Sequence, residues 1–435
     1  MSNKNMEFKD SGIPWIGQIP KHWEIKRLKF ILNERKENNK PVKTDFILSL
    51  TNEKGVIPYS EKGAQGNISK DDITGYKLAY PNDIILNSMN VVIGSVGLSS
   101  YFGAISPVYY ALYSKENSNI KFYNYIFQTS VFQNSLKGLG NGILEIRMRI
   151  PMSNLNNVFL PLPPLNEQEK IAEFLDKKCE IIDKRLNNFE RKIKSLKEYK
   201  KSLISECVTK GLNPKILKFK DSGIPWIGQI PKHWKISKIK YECFLKGRIG
   251  WQGLTTAEYI EEGAYLVTGV DFLNGNIDWQ NCVRVSEWRF NQAPEIQIKN
   301  NDLLITKDGT VGKIALTKDT PKQATLNSGV MLIRPKNKNY YEKFLFYILS
   351  SDQFWLWFSY INSGNTTIIH LYQNSFDNFS FTIPPLNEQK EIAEFLDKKC
   401  EKIDRLNENY TKQITALKEY KKSLIYECVT GKKEI

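Results

Sequence analysis

After Pro164 the chain settles into a helical rhythm in which apolar residues return every three and four positions. Leu175, Ile182, Phe189, Leu196 and Leu203 fall seven apart, with Ala172, Cys179, Leu186, Ile193 and Cys207 between them. After Pro385 the rhythm repeats with Leu396, Ile403, Tyr410, Leu417 and Leu424, and with Ala393, Cys400, Asn407, Ile414 and Cys428 between them. Lys200 and Lys421 are the charged exceptions in this seam. Each pattern lasts some 42–45 residues, a rod of roughly 65 Å at 1.5 Å per residue. A stripe sustained over four to five heptads predicts that the two helices bury it against each other as a coiled coil. Asn166 is the expected N-cap of the first, with Glu169 at the capping-box position; Asn387 plays that part in the second, where Lys390 breaks the box.

Ahead of each helix the period changes. "NDIILNSMNVVIGSVGLSS" (82–100) and "NDLLITKDGTVGKIALTKD" (301–319) each read as a hydrophobic strand, a short turn and a second strand. "FLFYILSSDQFWLWFSYI" (344–361) is the most apolar stretch. Ser350, Ser351, Asp352 and Gln353 interrupt it, which leaves each side too short for a bilayer and predicts a buried, aromatic-rich helix. The expected fold class is mixed α/β domains joined to long paired helices.

Comparing the chain with itself reveals why the helical pattern occurs twice. "FKDSGIPWIGQIPKHW" stands at 8–23 and again, unchanged, at 219–234. "PPLNEQEKIAEFLDKKCE" at 163–180 returns as "PPLNEQKEIAEFLDKKCE" at 384–401, and "LKEYKKSLISECVT" at 196–209 returns as "LKEYKKSLIYECVT" at 417–430. The segments between the blocks have diverged. Each half is therefore a constant opening, a variable middle and a constant helix. Constant parts predict one kind of partner met twice, and variable parts predict two different targets. An antiparallel helix pair would act as a ruler between the middles. It also predicts that the block at 8–23 lies near the end of the second helix, with Met1 towards Ile435.

Composition adds a partner. A net charge of +15 and a pI near 9.2 point to a polyanion, nucleic acid before membrane. The start "MSNKNMEFKD" lacks a signal peptide's apolar stretch, so a cytoplasmic location is expected. Six cysteines without a CxxC or Cys/His cluster give a zinc site no support and are expected to be reduced core residues.

Candidate DNA contacts fall in the variable middles. The turn "TKDGT" exposes Lys307, Asp308 and Thr310 beside Gly309, and Lys307 with backbone amides suits phosphates or base edges. The corresponding polar loops "GLGNGILEIRMR" (138–149) and "NSGNTTIIH" (362–370) offer Asn141, Arg147 and Arg149 in one middle and Asn365, Thr366, Thr367 and His370 in the other. An ordinary hairpin and solvated arginines would carry the same residues. His22 and His233, each before a repeated Trp, read as structural. Catalytic chemistry is absent: "GTVGK" lacks the first Gly and the final hydroxyl of a phosphate loop, no methyl-transfer motif occurs, and "PEIQIK" (294–299) is too sparse for a nuclease.

The "IPxHW" openings at Ile19–Trp23 and Ile230–Trp234, with "PPLNEQxxIAxFLD" at Pro163 and Pro384, make the chain resemble the specificity subunit of a type I restriction–modification system. The resemblance covers nearly the whole chain. It implies target recognition domains at 1–160 and 211–381, each reading half of an interrupted double-stranded DNA site, and conserved spacer helices at 161–210 and 382–435. It further implies that the chain docks two methyltransferase subunits, which motor–nuclease subunits join. S-adenosylmethionine, ATP and Mg would then be used by those partners, with no cofactor bound by this non-catalytic chain. The alternatives are the specificity subunit of a related system that cuts on both sides of its site, a basic coiled-coil structural protein, and a stand-alone methyltransferase or nuclease.

Overall fold

The computed structural model describes residues 7–52, 54–63, 72–140, 149–215, 218–248, 254–337, 339–363 and 370–435. These form two compact units, one of Met1–Phe189 with Thr411–Ile435 and one of Glu190–Tyr410. The first unit thus draws on both ends of the chain.

Each unit carries the same plan. In the first, the repeated block folds as a hairpin, Phe8–Asp10 against Gln18–Pro20, and Glu24–Arg27 then pairs with Phe159–Leu162 just before the long helix. Beyond it lies a four-stranded antiparallel sheet in the order Leu32–Arg35, Tyr109–Ser114, Ile84–Asn87 and Val96–Leu98. The second unit repeats the hairpin at Phe219–Asp221 and Gln229–Pro231 and pairs Lys235–Lys238 with Ser380–Ile383. Its four-stranded sheet runs Cys243–Gly247, Val330–Pro335, Leu303–Thr306 and Ile314–Leu316. Among the described residues only the second unit adds a three-stranded sheet, in which Ala264–Val267 pairs with Val283–Val285 and, in parallel, with Ala324–Leu326.

Both strand–turn–strand segments form as expected, and the shared "ND" before them has a physical use. Asn82 and Asn301 take φ of 68° and 67°, a left-handed turn that Asn tolerates better than most residues. Asp83 and Asp302 are buried, and each holds an arginine through two bonds: Arg35 at 2.7 and 2.9 Å, Arg334 at 2.6 and 2.5 Å. The arginines come from non-equivalent strands, so the two units make the same lock with differently placed partners.

The long helices are Leu165–Lys210 and Leu386–Val429, and they pack antiparallel. In the first unit Lys421 meets Asp183 at 2.6 and 2.8 Å, while Cys428 lies close enough to Cys179 to feel it. In the second unit Lys200 meets Asp404 at 2.7 Å, and Cys207 lies close enough to Cys400 to feel it. The two lysines that interrupt the apolar seam are therefore neutralised across it. Leu175, Ile182, Leu396, Ile403 and Leu424 are buried, whereas Phe189, Leu196, Leu203, Tyr410 and Leu417 are half-buried.

Two expectations need correction. Helix starts precede Asn166 and Asn387: the Pro164 carbonyl accepts the Glu167 and Gln168 amides at 2.9 and 3.1 Å, and that of Pro385 accepts the Gln389 amide. The prolines precede the helices, where their missing N–H is not needed, and the asparagines fall inside the first turn. The aromatic stretch is two helices, Glu342–Ser350 and Asp352–Ile361, because Ser351 leaves helical geometry and its hydroxyl caps the second by accepting the Gln353 amide at 3.2 Å.

"PPLNEQ" and "IPKHW" explain each other. Glu167 accepts Trp23 Nε1 and contacts His22 Nε2, both at 2.8 Å, and Glu388 does the same with Trp234 at 3.0 Å and His233 at 2.9 Å. Gln168, fully buried, accepts the Asn119 amide and donates to Pro163 and Asn117; Gln389 repeats this with Tyr341, Pro384 and Asn339. The motif is a clamp that ties the opening block, the helix start and the recognition segment together. Glu388→Ala is expected to cost about 1–3 kcal/mol, the penalty for stranding a buried indole N–H, read as a lower urea midpoint.

The block at 8–23 meets the end of the second helix within the first unit. Tyr426 donates to the carbonyls of Trp15 or Ile16 at 3.2 and 3.3 Å, and Lys432 reaches that of Ile16 at 2.9 Å. Gly431 closes the turn at φ 70°, and a Cβ there would collide with Pro20. Gly431→Ala is expected to destabilise this junction by about 1–2 kcal/mol, seen as faster amide exchange at residues 15–23; unchanged exchange would show the contact to be dispensable.

All six cysteines are buried and free, and burial pushes the Cys207, Cys243, Cys282 and Cys428 thiols up to about 12. They stay protonated and pack as small apolar groups. Among the described residues no helix is long and apolar enough to cross a membrane.

Candidate nucleic-acid interface

Sheet register decides which loops can act together. Gly247 pairs with Met331, Met331 with Ile305, and Val330 with Thr306. The chain leaving Gly247, the turn after Thr306 and the loop before Val330 therefore emerge at one end of the sheet. In the first unit Tyr109 pairs with Asn87, which brings the turn after Asn87 and the loop before Tyr109 to the matching end. A further segment closes each end: the Leu371 amide donates to the Lys307 carbonyl at 3.0 Å, as the Ile150 amide does to that of Ser88 at 2.9 Å. By this equivalence His370 corresponds to Arg149, and Lys307 to Ser88.

The second unit's turn is tightly built. The Thr306 hydroxyl donates to the Thr310 carbonyl at 2.6 Å and accepts the Lys313 amide at 2.9 Å. Gly309 and Gly312 adopt φ of 67° and 83°, and the Trp355 ring covers Gly312 so closely that a side chain would not fit. The Lys307 amide is held by the Gly329 carbonyl at 2.9 Å. Asp308 and the His370 Nδ1 meet at 2.6 Å, both half-exposed. Lys307, Asp308, Thr310 and His370, selected from two separate stretches, thus share one surface.

The first unit offers different chemistry at the same place. Ser88 is buried, and its hydroxyl donates to the Val108 carbonyl at 2.7 Å. Arg149 is exposed. Lys77 donates to the Tyr109 carbonyl at 2.9 Å and lies 3.5 Å from Glu34. Burial lowers its ammonium below the usual value, Glu34 opposes this, and Arg149 and Lys36 lower it further. Arg149 and Lys36 thus bring further positive charge near the Lys77–Glu34 pair, which suits a polyanion.

Asn141, Arg147, Asn365, Thr366 and Thr367 lie outside the described residues. Lys36, Lys77 and Tyr372 were not foreseen. Tyr372 is 65% exposed with its ring 5.9 Å from His370. The signal was available, because residues two apart on an extended chain share a face. Lys77 gave none, since only tertiary pairing brings it to Tyr109. No cluster of His, Cys, Asp and Glu among the described residues could hold a metal ion. What these surfaces present is donors, acceptors and fixed positive charge.

The type I restriction modification DNA specificity domain model matches residues 20–195 and 231–416. The putative type I restriction enzyme MjaX specificity subunit of Methanocaldococcus jannaschii is 25% identical over 96% of this chain and 95% of its own length. The MjaVIII specificity subunit of the same organism is 25% identical over 95% and 94%. Among solved structures, a chain from a study of complex assembly and conformational transition of the type I R-M system superposes with a TM-score of 0.72 at 16% identity, covering 94% of this chain and 98% of that one. The HsdS subunit from Thermoanaerobacter tengcongensis gives 0.55 at 15% identity, covering 95% and 98%. At such identities the structural likeness speaks for the fold.

Proposed function

This chain belongs to the type I restriction modification DNA specificity family, and from that premise we propose that it is the subunit that chooses the DNA target, each unit reading one half of a bipartite site. The observation that carries this reading is the contrast within the repeat. One clamp, built from "IPKHW" and "NEQ", supports two sheets whose ends present Lys307, Asp308 and His370 in one unit and Lys77 and Arg149 in the other. Identical supports with different tips suit a protein that makes one kind of contact to two different sequences.

The proposal assigns recognition to segments 1–160 and 211–381, and spacing and docking to 161–210 and 382–435. Asn141, Arg147, Arg149, Lys307, Asp308, Thr310, Asn365, Thr366, Thr367 and His370 are the proposed DNA contacts. Two methyltransferase subunits and motor–nuclease subunits are the proposed partners. They would supply the chemistry with S-adenosylmethionine, ATP and Mg, in the cytoplasm, while this chain catalyses nothing.

The test is direct. Purified alone, the chain is expected to bind DNA weakly, with affinity falling steeply as salt rises because phosphate contacts release counterions, and to transfer no methyl group. Methyl transfer by the chain with every partner excluded would refute the non-catalytic assignment. For the spacer role, four residues inserted near Tyr199 add about one helical turn, roughly 6 Å. The gap between half-sites is expected to change by about one or two base pairs at ~3.4 Å each, with both half-sites unaltered. A folded insertion variant that keeps the original gap would remove the spacer role.

A further inference from the structure

Val270 is the most exposed large apolar side chain among the described residues, at 85%. A scattered surface valine needs no explanation. This one stands where the recognition segments of the second unit converge. Val267 pairs in parallel with Leu326, so the chain leaving Val267 emerges at the same end as the loop that precedes Val330. The Asn327 amide donates to the Val267 carbonyl at 2.9 Å. The turn after Thr306 is joined to the same place. Lys313 Nζ donates to the Gly269 carbonyl at 3.0 Å, and a Cβ on Gly269 would lie 3.5 Å from the Thr306 methyl group.

The turn that carries Val270 is tightly held. Residues 268–271 close on themselves, the Asp271 amide donating to the Thr268 carbonyl at 3.3 Å. Asp271 is buried, and its carboxylate accepts the Thr268 amide at 2.7 Å and the Thr268 hydroxyl at 2.8 Å. The Asp271 carbonyl in turn accepts the Asp278 amide at 2.9 Å. Gly269 and Val270 are therefore the central pair of a locked turn. Such positions favour Gly, Asn, Asp or Ser. A β-branched apolar residue there gains no burial, and departures of this kind from local preference gather at functional sites. Its χ1 is confined to few rotamers, so its two methyl groups are offered to solvent from a nearly fixed position.

We propose that Val270 is a specificity-determining residue that packs its methyl groups against the C5-methyl of a thymine in the half-site read by the second unit. The proposal rests on that unit's reading of DNA. Thymine shows a methyl group at the major-groove edge, and short apolar side chains are what meet it there. Lys307, Asp308 and His370, on the adjoining turn and strand, offer polar and charged contacts. Val270 adds the apolar one. The other use of an apolar side chain on DNA is a wedge between base steps, which takes Phe, Leu, Ile, Met or Pro. Valine is shorter than leucine or isoleucine and reaches less far from its backbone.

The test uses the full chain assembled with its partner subunits, with the target taken from methylation mapping of the wild type. Each thymine of both half-sites is replaced in turn by uracil, which pairs in the same way but lacks the methyl group. At one position of one half-site the wild-type complex is expected to bind about fourfold more weakly, the worth of one buried methyl. Val270→Ala is expected to weaken binding to the thymine duplex by about the same factor. It should also be indifferent to uracil at that position, because the two changes remove one shared contact. Its salt dependence should match the wild type's, since no charge is lost. The substitution removes exposed atoms, so an unchanged urea midpoint is expected and certifies the fold. If uracil costs the variant as much as the wild type at every position, or if no thymine methyl matters to the wild type, the proposal is overturned. Weakening of all sequences alike by Val270→Ala, without a uracil effect, would also overturn it and point to a wedge. A wild-type complex without preference for any bipartite site would instead refute the reading on which the proposal rests.

Discussion

Replacing Trp234 by alanine is expected to cost the second unit about 3–5 kcal/mol, the range for deleting a large buried aromatic. Trp234 is fully buried in the core that joins Ile204 and Val208 of the first long helix to Ile392, Ala393 and Leu396 of the second. The change removes packing on all sides and also the 3.0 Å bond that fixes Glu388. Losing the cavity's contents outweighs losing the bond, which is why Glu388→Ala is expected to be milder. Trp23→Ala should behave alike in the first unit, where the same residue is 2% exposed. Because two units need not unfold together, urea unfolding should be followed by amide exchange resolved by segment. A loss below about 1 kcal/mol would mean that the repeated motif does not carry the base of each unit.

Charge reversal at Lys307 is expected to weaken DNA binding about a hundredfold near 0.1 M salt. Removing one phosphate contact forfeits the release of about one counterion, worth roughly tenfold at that concentration, and the new carboxylate repels the backbone by a similar factor. The Lys307 backbone is pinned at both ends, to Gly329 and to Leu371, so the substitution changes charge without freeing the turn. Titrations at several salt concentrations, with the complex held constant, separate this from a fold defect. Equal affinity for variant and wild type would remove the turn from the interface.

Much of the architecture was legible because the chain repeats itself. The heptads at Leu175–Leu203 and Leu396–Leu424 announced two long helices, and the antiparallel pairing explains what they left open. Lys200 and Lys421 look like faults in an apolar seam until Asp404 and Asp183 are brought opposite them. The helix starts misled for a local reason, since Asn is usually the better cap, but the helices begin one residue earlier, after Pro164 and Pro385, and the side chains of Glu167 and Gln168 serve the clamp. "SSDQ" inside the aromatic stretch was read only as polar interruption, although Ser351 is a sound cap in its own right.

At the site, Lys307, Asp308, Thr310 and His370 could be picked out because polar residues gathered at a glycine turn and at a loop end. Their meeting could not be foreseen, because it depends on Tyr109–Ser114 and Val330–Pro335, which follow the strands on either side in sequence yet lie between them in the sheet.

The most direct measurement is methylation mapping in cells that carry the partner subunits and a hybrid of this chain in which residues 241–381 come from a relative of different specificity. One half of the modified sequence should change, and the other half should persist, because the segment exchanged includes the Lys307–His370 surface and excludes Ser88, Lys77 and Arg149. A hybrid that assembles and methylates yet alters both halves, or neither, would contradict the assignment of one half-site to each unit.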